Sequence, residues 1–201
     1  MRNMADSPLA SMLRHVQALV GRPLHADHPD ACLLQEFLDH KSPAAFATIV
    51  QRHGPLVWRV CRRVLGSDDK AEDAFQATFL VLARKATTIR KTRSLASWLH
   101  GVAFRVSCQV RSQSVRKAPR ANRSHVIADP AQQATLNEIG RIIEEEIHAL
   151  PEKLRLPILL CYWEDKTNEE AARILGWACG TVKTRVARAR PSCISVLSAV
   201  A

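Results

Sequence analysis

Between Thr181 and Arg190 the chain carries Lys183, Arg185, Arg188 and Arg190, with Thr181 and Thr184 among them and no acidic residue. Side chains of these types bind an anionic polymer: ammonium and guanidinium groups neutralise phosphates, and Lys, Arg and Thr also reach base edges. Val182, Val186 and Ala189 recur at i, i+4 and i+7, so they line one face of a helix and leave the cations on the others. Thr181, Lys183 and Thr184, in the N-terminal half of that helix, are placed for base edges, and Arg185 and Arg188 for phosphates. No Gly-rich phosphate loop, nucleophile elbow or HExxH motif occurs, so the chemistry on offer is binding and no catalytic residue is assigned. Six cysteines are scattered without a CxxC pair or a His/Cys ligand spacing, which gives no metal site and no cofactor and suits reduced thiols.

A helix of this kind needs a partner to project it. Thr167 followed three residues later by Glu170 has capping-box spacing, and Ala171, Ala172, Ile174 and Leu175 supply a short, small-residue helix. Gly176 and Gly180 bracket a break with Trp177 filling the gap, and the second helix is expected to start near Thr181. Two short helices, a glycine turn and a basic outer face make a helix-turn-helix, whose second helix fits a major groove about 12 Å wide. The blander reading is a helical hairpin with a solvated basic face.

The remaining pattern is helical throughout. Leu33, Leu34, Phe37 and Leu38 make one stripe, and Ser42-Pro43 is a restart signal. Phe46, Ile49, Val50, Val57, Val60, Cys61 and Val64 continue, with a kink expected at Gly54-Pro55. A third helix begins at Ser67 or Asp68 with Asp69, Glu72 and Asp73 near its start, as the helix dipole favours. It buries Ala74, Phe75, Thr78, Phe79, Val81 and Leu82. Residues 87–94 read as a basic loop, and Leu95, Trp98, Leu99, Val102, Ala103, Val106 and Val110 as a fourth helix. Arg105 and Arg111 lie off its apolar stripe. Residues 118–130 read as a flexible linker reaching roughly 45 Å at about 3.5 Å per residue, which suits two modules standing apart on one long ligand. Leu136, Ile139, Ile142, Ile143, Ile147 and Leu150 open the second module, with Glu144-Glu145-Glu146 as a solvated face. Pro151 starts the next helix, Pro157 is a local conflict within it, and Pro191 is expected to stop the last one.

The fold class is therefore all-α: two small helical domains, 31–117 and 131–190, joined by the linker 118–130. An extension, 1–30, contains a short amphipathic helix near 8–20, and an apolar tail, 191–201, follows. The formal net charge is +10 over 201 residues. Its placement says more than its size, because from Ala74 to Ala128 there is no Asp or Glu while Arg and Lys recur. A soluble surface mixes both signs, so the asymmetry points to nucleic acid ahead of an anionic membrane. No apolar run approaches the roughly 20 residues of a membrane span, and no cleavage site follows Leu9–Val20, which gives a cytoplasmic protein. Trp58 and Trp163 are assigned to the core, as is Trp98 ahead of its alternative, stacking on an unpaired base, and His53, His100, His125 and His148 share no spacing that suggests chemistry.

In four segments the sequence closely resembles the extracytoplasmic-function class of bacterial sigma-70-type sigma factors. These are Asp69 to Ala86, Ser97-Trp98-Leu99 with Val102-Ala103, Leu150-Pro151-Glu152-Lys153, and Gly180 to Arg185 with Ala189-Arg190. The resemblance implies a transcription-initiation specificity subunit, its first module like sigma region 2 and its second like region 4. Core RNA polymerase and promoter DNA would be its partners, with an anti-sigma factor as a further candidate and no membrane insertion. It further implies that Asp73 and Gln76 meet polymerase. Arg90, Lys91, Arg93 and Ser94, with Arg105 and Arg111 on the following helix, would take the unpaired −10 strand. The helix from Thr181 would read a paired −35 element. The alternative is a helix-turn-helix regulator that binds duplex DNA without polymerase.

Overall fold

The computed structural model describes residues 28–89, 95–117 and 130–200. The expected helix near 8–20, Arg90, Lys91, Arg93 and Ser94, and the linker up to residue 129 lie outside these residues. All regular elements among the described residues are helical: α1 (Asp30–His40), α2 (Pro43–Leu65), α3 (Asp68–Lys85), α4 (Leu95–Lys117), α5 (Pro130–Ala149), α6 (Glu152–Ile158), α7 (Asn168–Leu175) and α8 (Cys179–Val200). A 3₁₀ turn, Ala86–Thr88, follows α3.

Local chemistry sets most of the boundaries. α1 ends at Lys41, which turns left-handed (φ 52°) and donates its N–H to Phe37 O. The Ser42 hydroxyl accepts the Ala45 N–H at 3.2 Å, and Pro43 takes the first helical position, where a missing N–H is harmless. α2 is one helix across Gly54-Pro55 and ends at Gly66 (φ 65°). The left-handed turn requires glycine there, and a Cβ, 2.6 Å from Asn137 Nδ2 of α5, would also push that side chain aside.

Pro157 lies near the start of its helix, where only the Lys153 carbonyl loses a partner, and the pitch changes just after it. α6 gives way to a π-helical turn, Leu159–Trp163, and Pro157 is buried just before it. Pro191, by contrast, does not stop the last helix: α8 continues to Val200. Proline removes one intrahelical bond, the one its N–H would give to Ala187 O. Ala187 is exposed, so water can reach that end of the helix surface and the helix bridges the defect.

α1 to α4 form the first module. Leu33, Ile49, Leu56, Val57, Leu82 and Leu99 are wholly buried in it, with Phe75 at its centre between Trp58 and Phe79. α5 to α8 form the second around Ile147, Leu159, Ala171, Val182 and Ala189. The two modules do not stand apart. α5 packs on α2 and α4, and α6 packs on α4.

Charged groups occupy that contact. Glu144, expected on a solvated face, has no exposed surface at all; it accepts from His100 Nε2 on α4 at 3.0 Å and from Arg63 on α2 at 3.2 Å. His53, on α2, donates from one ring nitrogen to Asp30 on α1 at 2.9 Å and from the other to Glu164, after the π turn, at 3.0 Å. Arg59 donates to Trp163 O at 2.8 Å, and the Arg63 guanidinium lies 4.5 Å from the Trp163 ring centroid. His53 and His100 therefore join the modules, although their spacing in the sequence suggested nothing.

Two outcomes follow. Glu144→Ala leaves the buried His100 without its acceptor, while half-exposed Arg63 can turn to water, and the variant is expected to lose about 3 kcal/mol in urea unfolding. For His53, burial pulls the imidazolium down, but the hydrogen bonds and charges of Asp30 and Glu164 outweigh it and hold the pKa at about 9. A raised pKa gives stability that is complete below the ordinary value of 6.5 and lost as pH rises through 9. Thermal unfolding of the wild type should weaken across that window by on the order of 3 kcal/mol, and the profile of His53→Gln should be flatter there.

Candidate nucleic-acid interface

The capping box at the start of α7 is complete. Glu170 N–H donates to Thr167 Oγ1 at 3.2 Å, and Thr167 N–H donates to Glu170 Oε2 at 2.8 Å. The Thr167 backbone and hydroxyl accordingly hold the Glu170 carboxyl below its ordinary range. α7 closes at Gly176 (φ 65°), and the N–H of Trp177 returns to Ala172 O at 3.0 Å. α8 begins at Cys179, two residues ahead of the expected Thr181, so Gly180 belongs to its first turn.

Val182, Val186 and Ala189 face inward as their spacing required, against Ala171, Ala172 and Leu175. Ile174, expected to pack with them, is 52% exposed. What α8 presents outward is a strip of Lys183, Thr184, Ala187 and Arg188, all exposed, with Thr181 half-buried at its start. Lys183 Nζ lies 3.5 Å from Glu169 Oε1, an exposed pair that costs little to exchange for another anion. The Thr184 hydroxyl donates to Gly180 O at 2.8 Å, which leaves its lone pairs and methyl group outward.

Two cations of this helix are committed elsewhere. Arg190 donates twice to the Tyr162 hydroxyl, at 2.9 and 2.7 Å, and ties α8 to the π turn. Arg185, assigned to phosphates above, lies instead over the Trp177 ring, with its guanidinium carbon 3.9 Å from the centroid. Trp177 does fill the gap between the helices, and an arginine covers it. A cation eight residues beyond an aromatic in a turn was the available signal, and it needed the crossing of α7 and α8 to be read.

On the first module, Arg105 and Arg111 are exposed on α4. Arg111 is 3.7 Å from Glu138 of α5, which also pairs with Arg141. That Arg141 contact holds the Glu138 carboxyl below its ordinary range, with Arg111 adding to the effect. Trp98, assigned to the core, is half-buried at its edge, whereas Trp58 and Trp163 are 8% and 6% exposed. On α3, Asp73 and Gln76 are exposed one turn apart, and Leu80, one turn further, is 59% exposed. Leu80 lies off the inward stripe, and a single apolar residue on an outer face is common enough to signal nothing by itself. Among the described residues no group of His, Cys, Asp and Glu could hold a metal ion, and no helix is long and apolar enough to cross a membrane.

Two protein-family models match the chain: Sigma-70 region 2 over residues 49–114 and Sigma-70, region 4 over residues 140–193. The ECF RNA polymerase sigma factor SigW of Bacillus subtilis is 29% identical over 163 residues, covering 73% of this chain and 85% of SigW. The ECF RNA polymerase sigma factor SigM of Mycobacterium tuberculosis is 30% identical over 148 residues, covering 73% of this chain and 74% of SigM. A solved structure of CnrH in complex with the cytosolic domain of CnrY aligns at a TM-score of 0.43 and 20% identity, covering 86% of this chain and 99% of CnrH.

Proposed function

The chain belongs to the ECF RNA polymerase sigma factors, and we propose that its two modules divide promoter recognition between a melted strand and a paired one. It acts in transcription initiation, with core RNA polymerase supplying the catalysis and the cytoplasm as its place of work. The observation that carries this division is the order of the two family matches. Region 2 falls on α2 to α4 and region 4 on α5 to α8, and each module has a cationic outer face.

α8 enters the major groove of the −35 element, where Lys183 and Thr184 reach base edges and Arg188 meets the backbone. Thr181, half-buried at the start of the strip, is placed for a base edge beside them. The −10 strand is taken by Arg90, Lys91, Arg93 and Ser94 together with Arg105 and Arg111 of α4, and Arg111 exchanges Glu138 for a phosphate on the way. Polymerase is met by Asp73 and Gln76 of α3, with exposed Leu80 on the same stripe giving that contact an apolar centre. An anti-sigma factor is a further partner expected of this family.

Reconstitution with core polymerase, followed by mapping of the start sites directed on genomic DNA, tests the reading. Defined start sites that depend on an upstream element support it. A chain that grips duplex DNA alone and never joins polymerase is a stand-alone regulator, and the reading fails. On a mapped promoter, Lys183→Ala is expected to cost about 1–3 kcal/mol if Lys183 reads a base. Arg188→Ala should instead lower the salt slope by about 0.9, as expected when one phosphate is no longer neutralised. Gln76→Ala and Leu80→Ala should each weaken holoenzyme assembly by more than about 1 kcal/mol in a polymerase titration, with upstream-element preference unchanged.

A further inference from the structure

Arg185 is the one cation of the recognition helix that is turned away from solvent. Its guanidinium lies over Trp177, with its carbon 3.9 Å from the ring centroid, and its Nη1 is buried with no hydrogen-bond partner among the described residues. An arginine meant for phosphate keeps its N–H groups in water until the ligand replaces it. A buried guanidinium N–H without an acceptor is tolerated only where another interaction offsets it, and the face of an indole supplies one.

Trp177 is held from the other side. Its backbone N–H donates to Ala172 O of α7 at 3.0 Å, directly after the left-handed turn at Gly176. The backbone of Trp177 is therefore tied to the first helix of the pair, its indole packs against the core, and the cation that covers it belongs to the second helix. Val182, Val186 and Ala189 fix how closely α8 approaches α7. Small apolar residues on a cylinder do little to fix its rotation about its own axis. A contact on the flank does so, and Arg185 is on the flank, between inward Val186 and outward Thr184. Successive residues of a helix are about 100° apart, so a small roll of α8 would carry Lys183 and Thr184 off the floor of the groove.

We propose that Trp177 and Arg185 form a positioning pair that sets the rotation of α8, so that Arg185 governs −35 discrimination without touching DNA. This rests on the reading of α8 as the element that enters the major groove. Phosphate attraction tolerates a rolled helix, because charge acts over a distance. Hydrogen bonds to base edges do not. Loss of the pair therefore lowers sequence preference and leaves non-specific affinity and its salt dependence in place.

The test uses holoenzyme assembled from the full chain and core polymerase. It compares a mapped promoter with the same promoter scrambled at its upstream element, across a salt series. Arg185→Lys keeps the charge and removes the planar face, and Trp177→Leu keeps apolar bulk and removes the π face. Each is expected to lower the preference for the intact element at least about fivefold, and the double variant should fall no further than the worse single one, because the two residues act as a unit. Trp177→Phe should retain most of the preference, and Arg185→Ala should leave the salt slope at its wild-type value. Full preference in Arg185→Lys and Trp177→Leu overturns the proposal. So does a slope lowered by about 0.9 in Arg185→Ala with preference intact, since Arg185 would then neutralise a phosphate directly. If wild-type holoenzyme does not distinguish the two promoters, the reading of α8 itself fails. Circular-dichroism melting of every variant shows whether a weakened preference comes from a module that has unfolded.

Discussion

Buried charge at the contact between the two modules constrains everything else. Glu144 has no exposed side-chain surface, and His53 is 3% exposed at its side chain. A carboxylate or imidazolium taken out of water needs its partners in place, or it costs several kcal/mol. Those partners come from α1, α2, α4, α5 and the segment after the π turn, so one arrangement of five pieces satisfies both sites. Apolar packing tolerates small shifts, whereas a buried carboxylate moved off its donors does not. The ion pairs are what makes a single register preferable, the kind of role for which buried polar groups are best attested.

Local features of this fold were legible in the sequence, and features joining distant segments were not. The Ser42-Pro43 start, the Thr167–Glu170 capping box and the inward row Val182, Val186 and Ala189 each depend on residues within a few positions of one another. The module contact depends on pairs separated by 44, 81 and 111 residues. Glu144 lies in a run of three acids and looks solvated until α2 and α4 are laid beside it. Pro191 misled for the opposite reason: its local rule is sound, but a proline whose orphaned acceptor faces solvent is a smaller defect than a helix end. The candidate DNA face was legible as a composition and not as a surface. Of the basic residues from Lys183 to Arg190, the fold commits Arg185 to Trp177 and Arg190 to Tyr162, and so narrows the outward set to Lys183 and Arg188.

That narrowing bears on how a single helix achieves selectivity. A helix carrying many free cations binds any phosphate backbone well, and its preference among sequences is a small difference between large terms. Committing two arginines to internal aromatic contacts lowers the indiscriminate part and stiffens the mounting of the remainder. On the proposed reading, Lys183 and Thr184, one turn before Ala187 and Arg188, form a narrow strip with a small residue in it, which would permit close approach to base edges.

The acid-free stretch from Ala74 to Ala128 requires an anionic counterpart, and the chain already contains one. Glu138 and Glu144 of α5 lie against Arg111 and His100 of α4, so the second module supplies carboxylates to a helix that has none of its own. The two contacts differ in kind. Arg111 and Glu138 are both close to half exposed and 3.7 Å apart, a pair of the sort that contributes about 1 kcal/mol or less. A phosphate, with its higher charge density and the release of its condensed counterions, competes easily for such an arginine. Glu144 and His100 are wholly buried, and no phosphate can reach them without opening the contact. On the proposed reading, DNA therefore takes over the rim of the module contact by simple exchange. The buried centre changes only if the modules separate, and whatever separates them must offset the desolvated charge that Glu144 and His53 hold there.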